Sequence, residues 1–408
     1  MHDALWLQRC SPAFRLTIAT SWLAPEAWRE KQKQDIRAAI DSGLDWEEYL
    51  RLVDRHRTPA LSWAALRRVP RLEIPELVQQ ELHKRSKVCQ MQAIRHAMLL
   101  TEALKAFNRV GIKAMPLKGP LLSLQLYGDL GIRQSHDLDL ACSPEDIPQA
   151  RVCLEALGWR LEESAASLTS RQWQSLLRFE HHLMFAHSHK DAFLELHWRD
   201  LCETTEQASL RWARSSTSVW QGCVYQVMQP ADLVLYLCNH GGRHAWFRAK
   251  WLGDLARLRT GEEIDWALCL EHARKLGHER VLLPSLLLLK EVYGLPVPEL
   301  AKAEWKSLPP FLIERTLHVL KAPEIDGALA RFMDHSWVHR YDRLVLPRQS
   351  WREFFAKLLY ARPDYQVLRL PDRFFWAYAP LRPVLWVWRH LRAESHSQEE
   401  AKPLGVDL

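Results

Sequence analysis

Asp137-Leu138-Asp139-Leu140 alternates acid and leucine over four residues. In an extended strand the side-chain period is two, so Asp137 and Asp139 project from one face while Leu138 and Leu140 face a core. Two carboxylates held that close resist joint ionisation, which makes an unpartnered pair a poor stabilising device. A divalent metal between them resolves the repulsion. Upstream lies Leu117-Lys118-Gly119-Pro120, and downstream Leu194-Glu195-Leu196 offers a third acid flanked by leucines. A strand, a glycine turn opening a helix, an Asp-x-Asp strand and a later acid-bearing strand form an ordered set.

Around this set the periodicity divides the chain. Trp46, Leu50 and Val53, the Leu61 to Leu66 segment, and Ile94, Met98, Leu104 and Phe107 recur at helical spacing before Gly111, so residues 26–110 read as helical. From 112 the texture changes. Residues 112–117 predict a short strand, 120–127 a helix, 128–136 a loop and 137–141 a second strand. Ser143-Pro144-Glu145-Asp146 has the form of an N-cap, a first-turn proline and first-turn acids, opening a helix that ends near Gly158. The runs 183–186 and 192–198, joined by Ser188-His189-Lys190-Asp191, predict a hairpin, and 224–228 a further strand. Beyond Pro230 the pattern is mainly helical. The expected organisation is an α+β fold with a small mixed sheet: a helical region over 1–107, the α/β core over 108–228, a helical domain closing the cleft over 229–300, and a basic helical region with a disordered tail over 301–408.

Composition narrows the function classes. With 408 residues and 48% apolar content the chain can bury a sizeable core. Its net charge of +6 is far from that of a histone-like binder, and it is concentrated: between Arg331 and Arg392 stand twelve Lys/Arg against five acids. The eight cysteines show no C-x-x-C pair or zinc-finger spacing and read as reduced, mostly buried thiols. No signal-like N-terminus and no run of about 18 apolar residues is present, so the expected location is the cytoplasm.

In the order Lys118-Gly119, Tyr127-Gly128, Arg133, Asp137-Leu138-Asp139-Leu140, Glu195-Leu196-His197-Trp198 and the His240 to Asp254 block, the chain resembles the nucleotidyltransferase superfamily typified by DNA polymerase beta. Within it, the resemblance is to an uncharacterised bacterial family of nucleotidyltransferases. It implies Mg2+- or Mn2+-dependent transfer of a nucleoside monophosphate from an NTP to an acceptor. Asp137, Asp139 and Glu195 would be catalytic metal ligands, two metals about 3.5–4 Å apart clamping the attacking and leaving oxygens. The Gly119 turn would bring backbone amides to the triphosphate at a helix N-terminus. Lys118 or Arg133 would neutralise phosphate charge, with Ser123 an alternative phosphate contact, His197 would orient a ligand carboxylate, and His240, Arg243, His244, Lys250 and Asp254 would form a helical wall of the cleft that contacts base, phosphate or acceptor. Pro120 departs from the superfamily, which usually places Ser or Gly there; proline offers neither hydroxyl nor amide.

Other readings compete. Arg133 suits a structural pair with Asp129 or Asp137. His181-His182, His187, His189, His197, His240 and His244 suggest a metal hydrolase, though no H-E-x-x-H signature occurs, and Gly241-Gly242 argues against one continuous helix carrying both His240 and His244. A non-catalytic relative serving as a scaffold, or transfer of another phosphate-activated group such as a sugar, also fits. In the aromatic-rich C-terminal quarter, Arg382, Arg389 and Arg392 would line one helix face opposite Val384, Leu385, Trp388 and Leu391. That region suits an anionic membrane surface or an acidic partner.

Overall fold

The computed structural model describes residues 6–162, 168–200, 203–302, 310–324, 360 and 362–400. Five helices come first: α1 (Pro12–Thr20), α2 (Glu26–Ile40), α3 (Trp46–His56), α4 (Pro59–Arg67) and the long α5 (Glu76–Arg109). Their ends follow local chemistry. Ser11 caps α1 through Phe14 N–H, Asp45 caps α3 through Glu47 and Glu48 N–H, and Pro59 occupies the first position of α4.

Next come β1 (Met115–Pro116), α6 (Pro120–Tyr127), β2 (Asp137–Ala141), α7 (Ile147–Ala156), β3 (Trp159–Leu161), α8 (Ser170–Phe179), β4 (His182–His187) and β5 (Phe193–His197). The strands form one mixed sheet in the order β1-β2-β5-β4-β3. Only β2 and β5 run parallel, and that pair sets Asp139 directly beside Glu195. Leu138, Leu140, Leu194 and Leu196 are at most 1% exposed, so the leucines of both strands fill one core and the acids take the other face.

After the sheet come α9 (Thr205–Arg214), the ribbon β6 (Ser216–Trp220) with β7 (Cys223–Val227), α10 (Pro230–Arg243), α11 (Ala249–Gly261), α12 (Trp266–Leu276) and α13 (Glu279–Tyr293). Further on lie α14 (Glu299–Lys302), α15 (Pro310–Lys321), α16 (Arg362–Val367) and α17 (Tyr378–Glu400). The architecture is α+β, as expected. Helices from before the sheet and from after it share one hydrophobic core, in which Phe14, Ile18, Leu52 and Leu66 meet Leu235, Leu252, Leu282 and Leu320. At Gly253 those two sets approach closely: a Cβ there would stand 2.5 Å from the buried carbonyl oxygen of Ser21. Backbone cannot swing aside as a side chain can. Gly253→Ala is therefore expected to destabilise by about 1–3 kcal/mol in urea titrations; a change below about 0.5 kcal/mol would show that the helices move apart freely.

Several local expectations are corrected. The strand predicted over 112–117 shrinks to Met115–Pro116, the residues in register with β2, beyond which Leu117 N–H still donates to Asp139 O at 2.9 Å. The strand at 224–228 is β7, which joins β6 in a separate ribbon instead of the main sheet. Ser143 makes no cap bond to backbone; its hydroxyl donates to Glu145, and the segment opens as a 3-10 turn. Ile94 and Met98 on α5 are 56% and 61% exposed, because that helix buries the neighbouring Leu99, Leu100, Ala103, Leu104 and Phe107 instead. On α17 the face assignment holds for Leu385, which is buried, but Arg382 and Arg389 turn inward to the fully buried Asp364 while Val384 and Trp388 face outward. A buried carboxylate needs partners, and that requirement outweighs the apolar pattern. Leu391, the side chain of Arg392 and most of the basic run before residue 360 lie outside the described residues, as does Cys202; the described cysteines are free. Among the described residues no helix is long and apolar enough to cross a membrane.

Candidate active site

The acids of β2 and β5 lie among charged side chains from both sides of the sequence, Arg57 from the end of α3 and Lys250 from α11 both acting on Asp137. Asp139 is 2% exposed, and Lys118 Nζ stands 2.9 Å from its Oδ1. His197 Nε2 lies 3.4 Å from the same oxygen and 3.1 Å from Glu195 Oε2. Neither Asp139 oxygen accepts a hydrogen bond of good geometry. Among the described residues, the Asp139 charge is met by the Lys118 and His197 contacts alone. Asp139, Glu195 and His197 place one ligand atom each within 4.8 Å of one another. Asp137 shares the face two residues along but stands outside that tight group.

The charges are strongly coupled. Burial alone would raise the Asp139 pKa, but Lys118 and His197 hold it well below the ordinary carboxylate range. Asp137 goes the other way: burial, then repulsion from Asp139, pushes its pKa up. Burial opposes a charged His197, yet its contacts with Asp139 and Glu195 outweigh this and hold its pKa at about 8. Burial likewise works against a charged Lys118, and Asp139 overrides it. Opposed shifts of this kind arise where like and unlike charges are packed out of water.

Gly119 makes the turn with φ +78° and starts α6, with Pro120 at its first helical position. An L residue other than glycine is strained at that φ. Ser123 is fully buried and serves the 128–133 loop: its hydroxyl donates to Asp129 O at 2.5 Å and accepts from Arg133 N–H at 3.2 Å. Arg133 donates from Nε to Asp254 Oδ2 at 2.8 Å, both side chains buried, and Tyr127 donates to the other Asp254 oxygen at 3.3 Å. The structural pair foreseen for Arg133 exists, but with Asp254 in place of Asp129 or Asp137. Lys250 Nζ donates to Gln134 O at 2.7 Å, and burial keeps its pKa well below normal. Ser123, Arg133 and Lys250 thus shape the loop leading into β2.

The double glycine does not break α10, which runs through Gly241-Gly242 to Arg243. Gly241 has a packing reason: a Cβ there would meet the buried Trp246 ring at 2.3–2.5 Å. His240 sits on the helix and His244 at its C-cap, their rings 5.0 Å apart, with Trp251 at 4.9 and 5.3 Å. Both rings feel Lys118, and His244 also feels Glu195, so this wall borders the carboxylate pocket.

Sequence reasoning missed three cations. Arg57, in the left-handed conformation that ends α3, faces Asp137 electrostatically, and Arg55 and Arg248 crowd it. Only the packing of α3 against the second helical region brings them there, and no local pattern in the chain announces it. His56 between them is fully buried; its Nδ1 accepts Ala249 N–H at 3.0 Å, while burial and then Arg55 and Arg248 push its pKa well below 6.5. An unfolded chain therefore takes up a proton below pH 6.5 that folded His56 refuses, and stability falls as pH drops through that value. Urea titrations from pH 7 to 5 should show this loss. His56→Gln, which keeps an acceptor for Ala249, should flatten it by up to about 1.4 kcal/mol per pH unit.

A small mixed sheet carrying Asp-x-Asp beside a third acid, with a glycine turn at a helix start, is the architecture of a nucleotidyltransferase core. The chain belongs to a family described as uncharacterised nucleotidyltransferases, whose model matches residues 42–294. That places it among transferases at the level of class. The matched span takes in α3 to α5, the whole sheet and the helices through α13. No individually curated protein matches the chain.

Proposed function

We propose that the protein transfers a nucleoside monophosphate from an NTP to an acceptor, using Mg2+ or Mn2+ held by Asp137, Asp139 and Glu195. The observation that carries this reading is the parallel β2-β5 register, which sets the buried Asp139 carboxylate directly beside Glu195. An all-oxygen set of carboxylates suits a hard divalent ion. When bound, the metals neutralise phosphate charge and clamp the attacking and leaving oxygens. The protein's own groups do the positioning. Lys118 and Arg57 supply cationic charge on either side of the carboxylates, and Arg248 extends that wall. The turn at Gly119 presents backbone to the phosphates, and Pro120 removes one amide from that helix start, so side-chain cations take a larger share. His197 Nε2 holds Glu195 in place. Trp251 with His240 and His244 offers aromatic faces on which a base can stack.

The competing reading is a non-catalytic relative, and Lys118 favours it: an ammonium at 2.9 Å already neutralises part of the acidic charge. Transfer of a phosphate-activated sugar would use the same metals. Incubating the chain with each α-labelled NTP, Mg2+ or Mn2+ and cell extract separates these readings. Label should pass to an acceptor with wild type and not with Asp137→Ala/Asp139→Ala. Transfer by both proteins, or by neither under every condition, would sink the catalytic reading.

A further inference from the structure

We propose that His181, His182 and His197 form a metal position distinct from the carboxylate one, selective for an imidazole-preferring divalent transition ion of the Zn2+ and Co2+ class. The three rings bring a nitrogen each within 4.8 Å of one another. His182 Nδ1 lies 2.9 Å from His181 Nε2. That separation is a hydrogen bond between the rings; tetrahedral ligands on one ion, with bonds of about 2.0–2.1 Å, stand about 3.3–3.4 Å apart, so a few tenths of an ångström of opening would exchange the shared proton for a metal.

The fold builds this cluster deliberately out of two strands. In the β4-β5 register His182 sits directly across from His197. Successive residues of a regular strand point to opposite faces, which would separate His181 from His182. β4 begins at His182, however, so His181 precedes the regular strand. Its carbonyl accepts Trp198 N–H at 3.1 Å, and its ring turns to within 4.3 Å of His182, centroid to centroid.

A second observation points to a ligand. His197 is 6% exposed, and its Nδ1 has no hydrogen-bond partner. A ring packed only for structure would find a carbonyl or hydroxyl for that nitrogen. His197 also joins the two positions, because its Nε2 contacts Glu195 and Asp139. Carboxylates favour Mg2+ and imidazoles favour zinc-like ions, so the donor sets separate the two cations by chemistry.

The test uses the full chain, stripped with chelator and dialysed against Zn2+ or Co2+ in large excess Mg2+. Retained metal is measured by elemental analysis and the Co2+ form by its visible absorption. One transition ion per chain is expected, with affinity lowered at least about 100-fold in His181→Ala/His182→Ala. His181→Asn/His182→Gln, closer in size, serves as a second variant with circular dichroism checking both. Asp137→Ala should abolish label transfer yet keep the transition ion, so this inference and the transfer reaction fail separately. Wild type that retains no stoichiometric Zn2+ or Co2+ over Mg2+, or folded variants that bind as wild type does, would overturn it.

Discussion

Asp139→Asn is expected to lower nucleotidyl transfer by at least about 10³-fold, because the substitution removes the buried charge that Lys118 and His197 both contact. Metal-borne charge stabilisation amounts to several kcal/mol of barrier, and each 1.36 kcal/mol is tenfold in rate. Asp139 lies within 2.9 Å of Lys118 and 3.4 Å of His197, and register sets it beside Glu195. Asparagine keeps the size and one oxygen but not the charge. The expected signature is a fall in kcat that excess Mg2+ or Mn2+ only partly restores. Lys118 complicates the stability side, since removing Asp139's charge leaves a buried ammonium with less compensation. Asp139→Asn/Lys118→Met should recover stability without recovering transfer. If Asp139→Asn alone retains wild-type transfer at saturating metal, the carboxylate role assigned to it is wrong.

Arg133→Met is expected to cost about 3–5 kcal/mol of stability, the largest folding effect at any charged position near the pocket. Its guanidinium and the Asp254 carboxylate are both essentially sealed from water, 2% and 0% exposed, at 2.8 Å. Removing one partner of a buried pair strands the other charge in a medium that solvates it poorly. Replacing both with apolar residues is a different experiment, since the desolvation penalty disappears along with the attraction. Arg133→Met/Asp254→Leu is therefore expected to regain most of the loss in urea titrations. Tyr127, which also donates to Asp254, makes the recovery incomplete. A double variant as unstable as the single would mean the pair contributes beyond charge compensation. A single variant that folds normally but binds nucleotide poorly would instead make Arg133 a phosphate contact.

Where the chain's local signals were strong, they were legible. Alternating leucine and acid over Asp137–Leu140 is a short-range pattern, and strand β2 appears at 137–141 with both leucines in the core. Pro120 at a helix start after a glycine likewise gave helix α6 its bounds. Signals that depend on a partner were misread. Gly241-Gly242 looks like a helix breaker, yet α10 passes through it because Trp246 returns to pack on the missing side chain. Arg382 and Arg389 look like a solvated stripe, but Asp364 turns them inward.

The sequence by itself determined strands β2, β4 and β5, the acids they carry and the family to which those motifs belong, because strand alternation and turn chemistry are properties of neighbouring residues, whereas β3 carried no such signal. Only the tertiary structure decided which charges meet. Arg133 finds Asp254 across 121 positions of chain, and Arg57 reaches Asp137 through helix packing. His181 joins His197 only once β4 pairs with β5. Burial strengthens each of these encounters by removing water, and burial is a property of the assembled core rather than of any segment.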